Sequence, residues 1–184
     1  MNQLLATILL VVNQQRIPLL YPYEADWLLK NDKTERPGVG KTISSIEQDK
    51  THVLMKGQLA SLPATNGRVG FSLIETHVPR SVDGSEGIIF SGRGTESAIF
   101  SVLVKDDQWN QPEGTLTFQW NFETNGKSQT FFAKWSEFTP TIRGKKVSGF
   151  SLDLTTVHSL SFQISRSHQN KWYDTDPLDF EWEI

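Results

Sequence analysis

Across 184 residues the chain has no cysteine. Disulfides, thiolate metal sites and cysteine nucleophiles are therefore excluded, and the fold must rest on buried side chains. A dominant charge is missing too. The 18 basic and 21 acidic residues leave a net charge of −3, which gives no general pull towards nucleic acid or an anionic membrane. Long apolar runs are also scarce. The stretch from Leu4 to Val12 is far shorter than the ~20 residues a membrane-spanning helix needs. It lacks the basic flank and small-residue cleavage site of a secretory signal, and the Arg and Ser of a transit peptide. What the chain does have is aromatic residues, 6 Trp and 11 Phe among them. That suits a β core or an aromatic binding face.

The apolar spacing changes along the chain. Leu4, Leu5, Ile8, Leu9 and Val12 recur at intervals of three and four, which predicts a helix ended by Pro18 and Pro22. Residues 1–30 are thus expected to form a short helical extension that packs or docks, with Asp26 capping a turn through Trp27, Leu28 and Leu29. Residues 31–50 are polar and read as loop. Beyond them the period is two. Leu116, Phe118, Trp120 and Phe122 alternate with Thr117, Gln119 and Asn121, as one half-buried strand does. Leu160, Phe162 and Ile164 repeat the pattern, as do Phe180, Trp182 and Ile184. Residues 98–104 are apolar on both sides, as a central strand is. Further strands are expected at 69–74, 87–90, 131–135 and 150–154. Turn signals stand at Asp83-Gly84, Asn125-Gly126 and Arg143-Gly144. About eight short strands separated by turns predict an all-β sandwich or barrel, and an antiparallel sandwich is the expected form of the domain over residues 31–184.

Few residues are spaced for chemistry. Gly38-Val-Gly-Lys-Thr42 resembles the end of a phosphate loop, but Glu35 stands where the first glycine is required, and no apolar strand precedes it. His52, His77, His158 and His168 lack metal-ligand spacing. Asp174, Asp176 and Asp179 lack the glycine turn and terminal glutamate of a calcium loop. Glu75 and His77 share a strand face without a nucleophile beside them. Glu75, Asp106, Glu123 and Asp153 supply carboxylates, but no spacing selects two to flank a sugar bond. Trp120 and Trp182 fall on apolar faces and read as core. Trp109 and Trp172 lie in polar loops, where an exposed indole can stack on a sugar, anchor a protein or close over the core.

Three segments carry a family resemblance. Gly70-Phe-Ser-Leu-Ile-Glu75 and Gly87-Ile-Ile-Phe-Ser-Gly-Arg-Gly94 are followed by Trp135-Ser-Glu-Phe-Thr-Pro-Thr-Ile-Arg-Gly144, then the 160–164 and 180–184 strands. In this order they resemble the complex I intermediate-associated protein family, whose fold is related to family-eleven carbohydrate-binding modules. The resemblance runs from about Trp27 to Ile184. Two positions depart from the family pattern: Arg93 replaces an aspartate, and Asn31-Asp32, Gly38, Gly40 and Ser44 represent an Asn-Asp…Gly-Gly-x-Ser element at altered spacing.

The resemblance implies a galactose-binding-like jelly roll that acts as an assembly or scaffold factor for membrane-bound electron-transfer complexes, with no catalytic residues and no cofactor. The expected partners are protein subunits of a larger complex, docked through Leu5, Ile8, Leu9 and Val12. The second reading is a carbohydrate-binding module. It would present Gln119, Asn121 and Gln163 to sugar hydroxyls, with Trp109 or Trp172 stacking and Arg93 replacing a residue of the family's hairpin. Neither nucleic acid nor a transmembrane segment is expected. A lone domain of this kind suits a bacterial cytoplasm, a cyanobacterial one included.

Overall fold

The computed structural model describes residues 7–61, 70–169 and 176–184. Two antiparallel sheets face each other across an apolar interior. The strands are β1 (Ile8–Val12), β2 (Gln15–Leu20), β3 (Leu28–Asn31), β4 (Ile43–Gln48), β5 (Val53–Leu59), β6 (Phe71–His77), β7 (Gly87–Gly94) and β8 (Ile99–Lys105). They continue with β9 (Asn110–Gln111), β10 (Gly114–Glu123), β11 (Gln129–Lys134), β12 (Thr139–Ile142), β13 (Lys145–Lys146), β14 (Ser159–Ser165) and β15 (Leu178–Glu183). One sheet has seven strands, ordered β2-β1-β7-β15-β5-β4, with β11 also on β7. The other has eight, ordered β13-β12-β10-β8-β14-β6-β3, with β9 on β10. This is an antiparallel sandwich, as the alternating pattern predicts, with the jelly-roll form that the family resemblance implies.

The N-terminus corrects that prediction. Residues 8–20 form a hairpin, and β1 pairs with both β2 and β7. Asn13 and Gln14 adopt φ of 48° and 65°, the left-handed pair that a two-residue hairpin turn requires. Ile8, Val11 and Val12 are β-branched, which favours strand over helix. Their three- and four-residue spacing was misleading because β1 has apolar residues on both faces. The expected boundary at residue 30 falls inside β3, so the extension is part of the sheets. A four-residue helix, α1 (Asp32–Glu35), and β4 occupy the stretch expected to be loop. Residues 150–154, expected as a strand, are irregular.

Rings fill the interior. Phe90 lies within 6.4 Å, centroid to centroid, of Trp120, Phe122, Phe131, Phe162 and Trp182. Gly92 and Gly94 make room for this packing: a Cβ on Gly92 would meet the Trp182 ring at 2.4 Å. The Trp135–Gly144 segment carries the chain from β11 in one sheet to β12 in the other. The Trp135 indole donates to Ser85 Oγ at 2.8 Å, Phe138 packs on its ring, and Arg143 and Gly144 turn at φ 53° and 74°. This segment of the family resemblance is therefore a corner between sheets.

Candidate binding face

The outward side of the eight-stranded sheet carries a set of polar residues from several strands. Cross-strand partners share a face, so the register defines its rows. One row runs Lys30, Leu73, Gln163, Ser101, Asn121. The next runs Leu28, Glu75, Ser161, Leu103, Gln119, Thr139. Their inward neighbours, Ile74, Phe162, Val102 and Phe118, are in the core.

Two hydrogen-bonded clusters occupy this face. Glu75 accepts from Lys30 Nζ at 2.8 Å, from Lys105 Nζ, and from Ser161 Oγ at 3.3 Å. Burial alone would raise the Glu75 pKa, but the hydrogen bonds and charges of Lys105 and Lys30 outweigh it and lower the pKa to about 2. Glu75 therefore cannot serve as a proton donor near neutrality. In the second cluster Ser101 Oγ donates to Asn121 Oδ1 at 2.8 Å, and Gln119 Nε2 donates to the same oxygen at 2.7 Å. The half-buried His168 ring closes this cluster, its Nε2 3.2 Å from Gln119 Nε2. Burial pushes the His168 pKa down. The neutral ring can accept from the Gln119 amide, as the contact requires.

Between the clusters lies Gln163, half-buried and without a side-chain hydrogen bond among the described residues. Its amide is free to meet a ligand. The face thus brings together Gln119, Asn121 and Gln163 from the sequence-derived set, and adds Lys30, Glu75, Lys105, Ser101 and His168. The outward register of Ser101, amid an apolar strand, was the available signal for it.

The other candidates lie elsewhere. Trp109 is 43% exposed, in the loop between β8 and β10. The buried Asp106 anchors that loop by accepting from Gln108 N and Asp153 N at 3.0 and 2.9 Å. Arg93 is on β7 in the opposite sheet and pairs with Glu183 at 3.1 Å. Trp172, Leu5 and Asp174 lie outside the described residues. Ile8 is fully buried and Val12 packs against the core; only Leu9 of the expected docking residues that are described faces outward.

The glycine loop at 38–42 is bound within the protein. The buried Asp32 carboxylate accepts from Lys41 N and Thr42 N at 3.1 and 3.2 Å, occupying amides that a phosphate would need. Asn31 Nδ2 donates to Ser44 Oγ at 2.9 Å. The Asn-Asp…Gly-x-x-x-Ser element is thus assembled in space despite its altered spacing. Among the described residues no three His, Asp or Glu side chains gather to hold a metal, and no helix is long and apolar enough to cross a membrane.

The jelly-roll sandwich is a fold shared with carbohydrate-binding modules. The family 11 carbohydrate-binding module from Clostridium thermocellum, in complex with a beta-1,3-1,4-mixed-linked tetrasaccharide, is similar at 14% identity. The match covers 98% of this chain and 94% of that one, with a TM-score of 0.55. The family 11 module of cellulosomal cellulase Lic26A-Cel5E from the same organism is 16% identical over 89% of each chain, with a TM-score of 0.51. At these identities the likeness concerns the fold. The family model for Complex I intermediate-associated protein 30 (CIA30) matches residues 21–184, and the chain belongs to that family. That match leaves out β1 and β2, the whole of the first hairpin. A search of curated proteins returned no match.

Proposed function

We propose that the chain is a non-catalytic protein-binding module that assists the assembly or stability of a membrane-bound respiratory or photosynthetic electron-transfer complex. The family match over residues 21–184 carries this reading, since the family is described by its association with complex I intermediates. The chemistry of the face supports it. Sugar-binding faces commonly use exposed rings that stack on the pyranose. Among the described residues the only Phe, Tyr or Trp at outward register on the eight-stranded sheet is Phe71, and the Arg36 guanidinium already lies over its ring at 5.3 Å. The central carboxylate is held ionised between two lysines, which disfavours acid–base chemistry.

Carbohydrate recognition is the second reading, favoured by the open amide of Gln163 beside Asn121 and Gln119. Affinity purification of the full chain from its native host, with mass spectrometry, should recover subunits of an electron-transfer complex. A glycan array should give no hit. Reproducible β-glucan binding lost in Gln163→Ala, with no complex subunit recovered, would reverse the order of the two readings.

A further inference from the structure

The outward side of the seven-stranded sheet carries an apolar row where a solvated sheet is usually polar. Pro18, Leu9, Ile89 and Phe132 are successive cross-strand partners on β2, β1, β7 and β11. Their chain neighbours Leu10, Ile88 and Ala133 face the core. Pro18 is exposed, and Leu9, Ile89 and Phe132 are half-buried. None of the four belongs to the interior cluster or packs against it. Val11, in the adjoining outward row, is buried yet also lies outside that cluster. Gly87 sits beside Val11 in the same row, and a Cβ there would meet the Phe132 ring at 2.9 Å. The missing side chain at Gly87 therefore leaves room for the edge of that ring.

The charges around this row have one sign on one flank. The row of Val11 and Gly87 ends in Arg16 on β2 and Lys134 on β11. Both are exposed, and neither makes an ion pair among the described residues. The Lys134 amine lies 5.8 Å from the Phe132 ring centre. The acid nearest in sequence, Glu86, sits one position off the outward register. On the other flank Ser91 and Thr130 bond to each other at 2.8 Å and offer no charge. A second copy laid face to face would thus set these cations against hydroxyls, without complementary acids. An anionic bilayer would complement two cations, but the net charge of −3 opposes that approach.

We propose that this row is a protein-docking surface for an extended or helical segment that presents apolar side chains beside a run of Asp or Glu. The apolar side chains would cover Leu9, Ile89 and Phe132, and the acids would meet Arg16 and Lys134. This inference rests on the protein-binding reading above and names the face and the partner chemistry. Half of the surface comes from β1 and β2, which lie outside the residues that the family model matches.

The test uses the photo-crosslinker p-benzoylphenylalanine in the full chain, at position 9 or 89, with position 163 on the opposite sheet as the control. The expected result is an adduct from positions 9 and 89, but not from 163, mapping to a protein segment with apolar residues next to Asp or Glu. That adduct should fall at least tenfold in the double variant Arg16→Glu, Lys134→Glu, whose exposed positions leave folding intact by circular dichroism. Several results would overturn the proposal: no adduct, an adduct to another copy of the chain, an adduct to a segment without acids, or indifference to charge reversal. Binding to phosphatidylglycerol vesicles in place of protein would also do so. If electron-transfer subunits still copurify with the charge-reversed chain, docking on this face fails while the assembly reading stands. If the adduct forms as expected on an unrelated protein, the surface stands and the assembly reading fails.

Discussion

Glu75 shows how an ordinary acidic residue can organise a face. Its side chain is 17% exposed, and so is that of Lys105. The carboxylate is ionised because two ammonium groups solvate it in place of water. The usual pKa of 4.5 falls to about 2 in the folded protein. A depressed carboxylate contributes stability that is complete above the unfolded pKa and is lost as pH falls through the folded one. The contribution should therefore hold at pH 6–7 and disappear between about pH 4.5 and pH 2. At about 1.4 kcal/mol per pKa unit, a shift of this size corresponds to roughly 3 kcal/mol. Glu75→Gln should cost on that order in urea unfolding at pH 7, and its midpoint should converge with the wild type near pH 2. Parallel pH profiles for the two proteins would show that the lysines do not set the carboxylate. Asp32 has a second structural role. Removing its carboxylate strands the Lys41 and Thr42 amides, so Asp32→Ala should cost about 2–3 kcal/mol, measured by the same unfolding method. Gly40→Ala should be at least as harmful, because its Cβ would meet the Asp32 carbonyl oxygen at 1.9 Å.

At the scale of elements, the first hairpin is where sequence and structure part. Strands with one wet and one buried face were legible from alternation alone: β10, β14 and β15 place Phe118, Phe162 and Phe180 inward as predicted. β1 was not legible, because both of its faces are apolar. Ile8 and Leu10 enter the core, while Leu9 and Val11 face the docking row, and no period of two survives in the sequence. The polar face was partly legible. Gln119, Asn121 and Gln163 could be read from their own strands, but their meeting with His168, Lys30 and Lys105 depends on register across five strands. The hairpin assignment has direct consequences. Ile8→Ala should cost about 2–5 kcal/mol, as deletion of buried methyls does, whereas a helix docked loosely on the surface would lose little. Gln14→Gly should gain about 0.5–1 kcal/mol, since glycine tolerates φ of 65° without a Cβ penalty. Chemical denaturation of the two variants checks both signs. Because β1 belongs to the sheet, removing residues 1–16 would damage the fold itself, so docking is better probed at single positions of the outward row such as Leu9 and Ile89.

At the scale of the whole molecule, the final strand joins the two sheets into one cooperative unit. Trp182 on β15 lies within 6.3 Å of Phe90 and Phe131 from its own sheet, and within 5.7 Å of Phe100, Phe122 and Phe162 from the other. Its ring is completely buried and its Nε1 finds no acceptor among the described residues. The indole therefore stabilises through its ring area and packing, while its N–H counts against it. Two substitutions separate these effects. Trp182→Ala should cost about 3–5 kcal/mol from lost burial and the cavity left behind. Trp182→Phe keeps most of the ring and removes the unpartnered donor, so it should cost clearly less than the alanine change. Since the same ring packs against both sheets, neither sheet should survive without the other. Far-ultraviolet circular dichroism, which follows the strands, and near-ultraviolet dichroism, which follows the packed rings, should then share one denaturant midpoint in the wild type. In Trp182→Ala that shared midpoint should move down as a unit. Two separated transitions would mean that the sheets fold independently, and that the binding face on one and the docking row on the other are only loosely coupled.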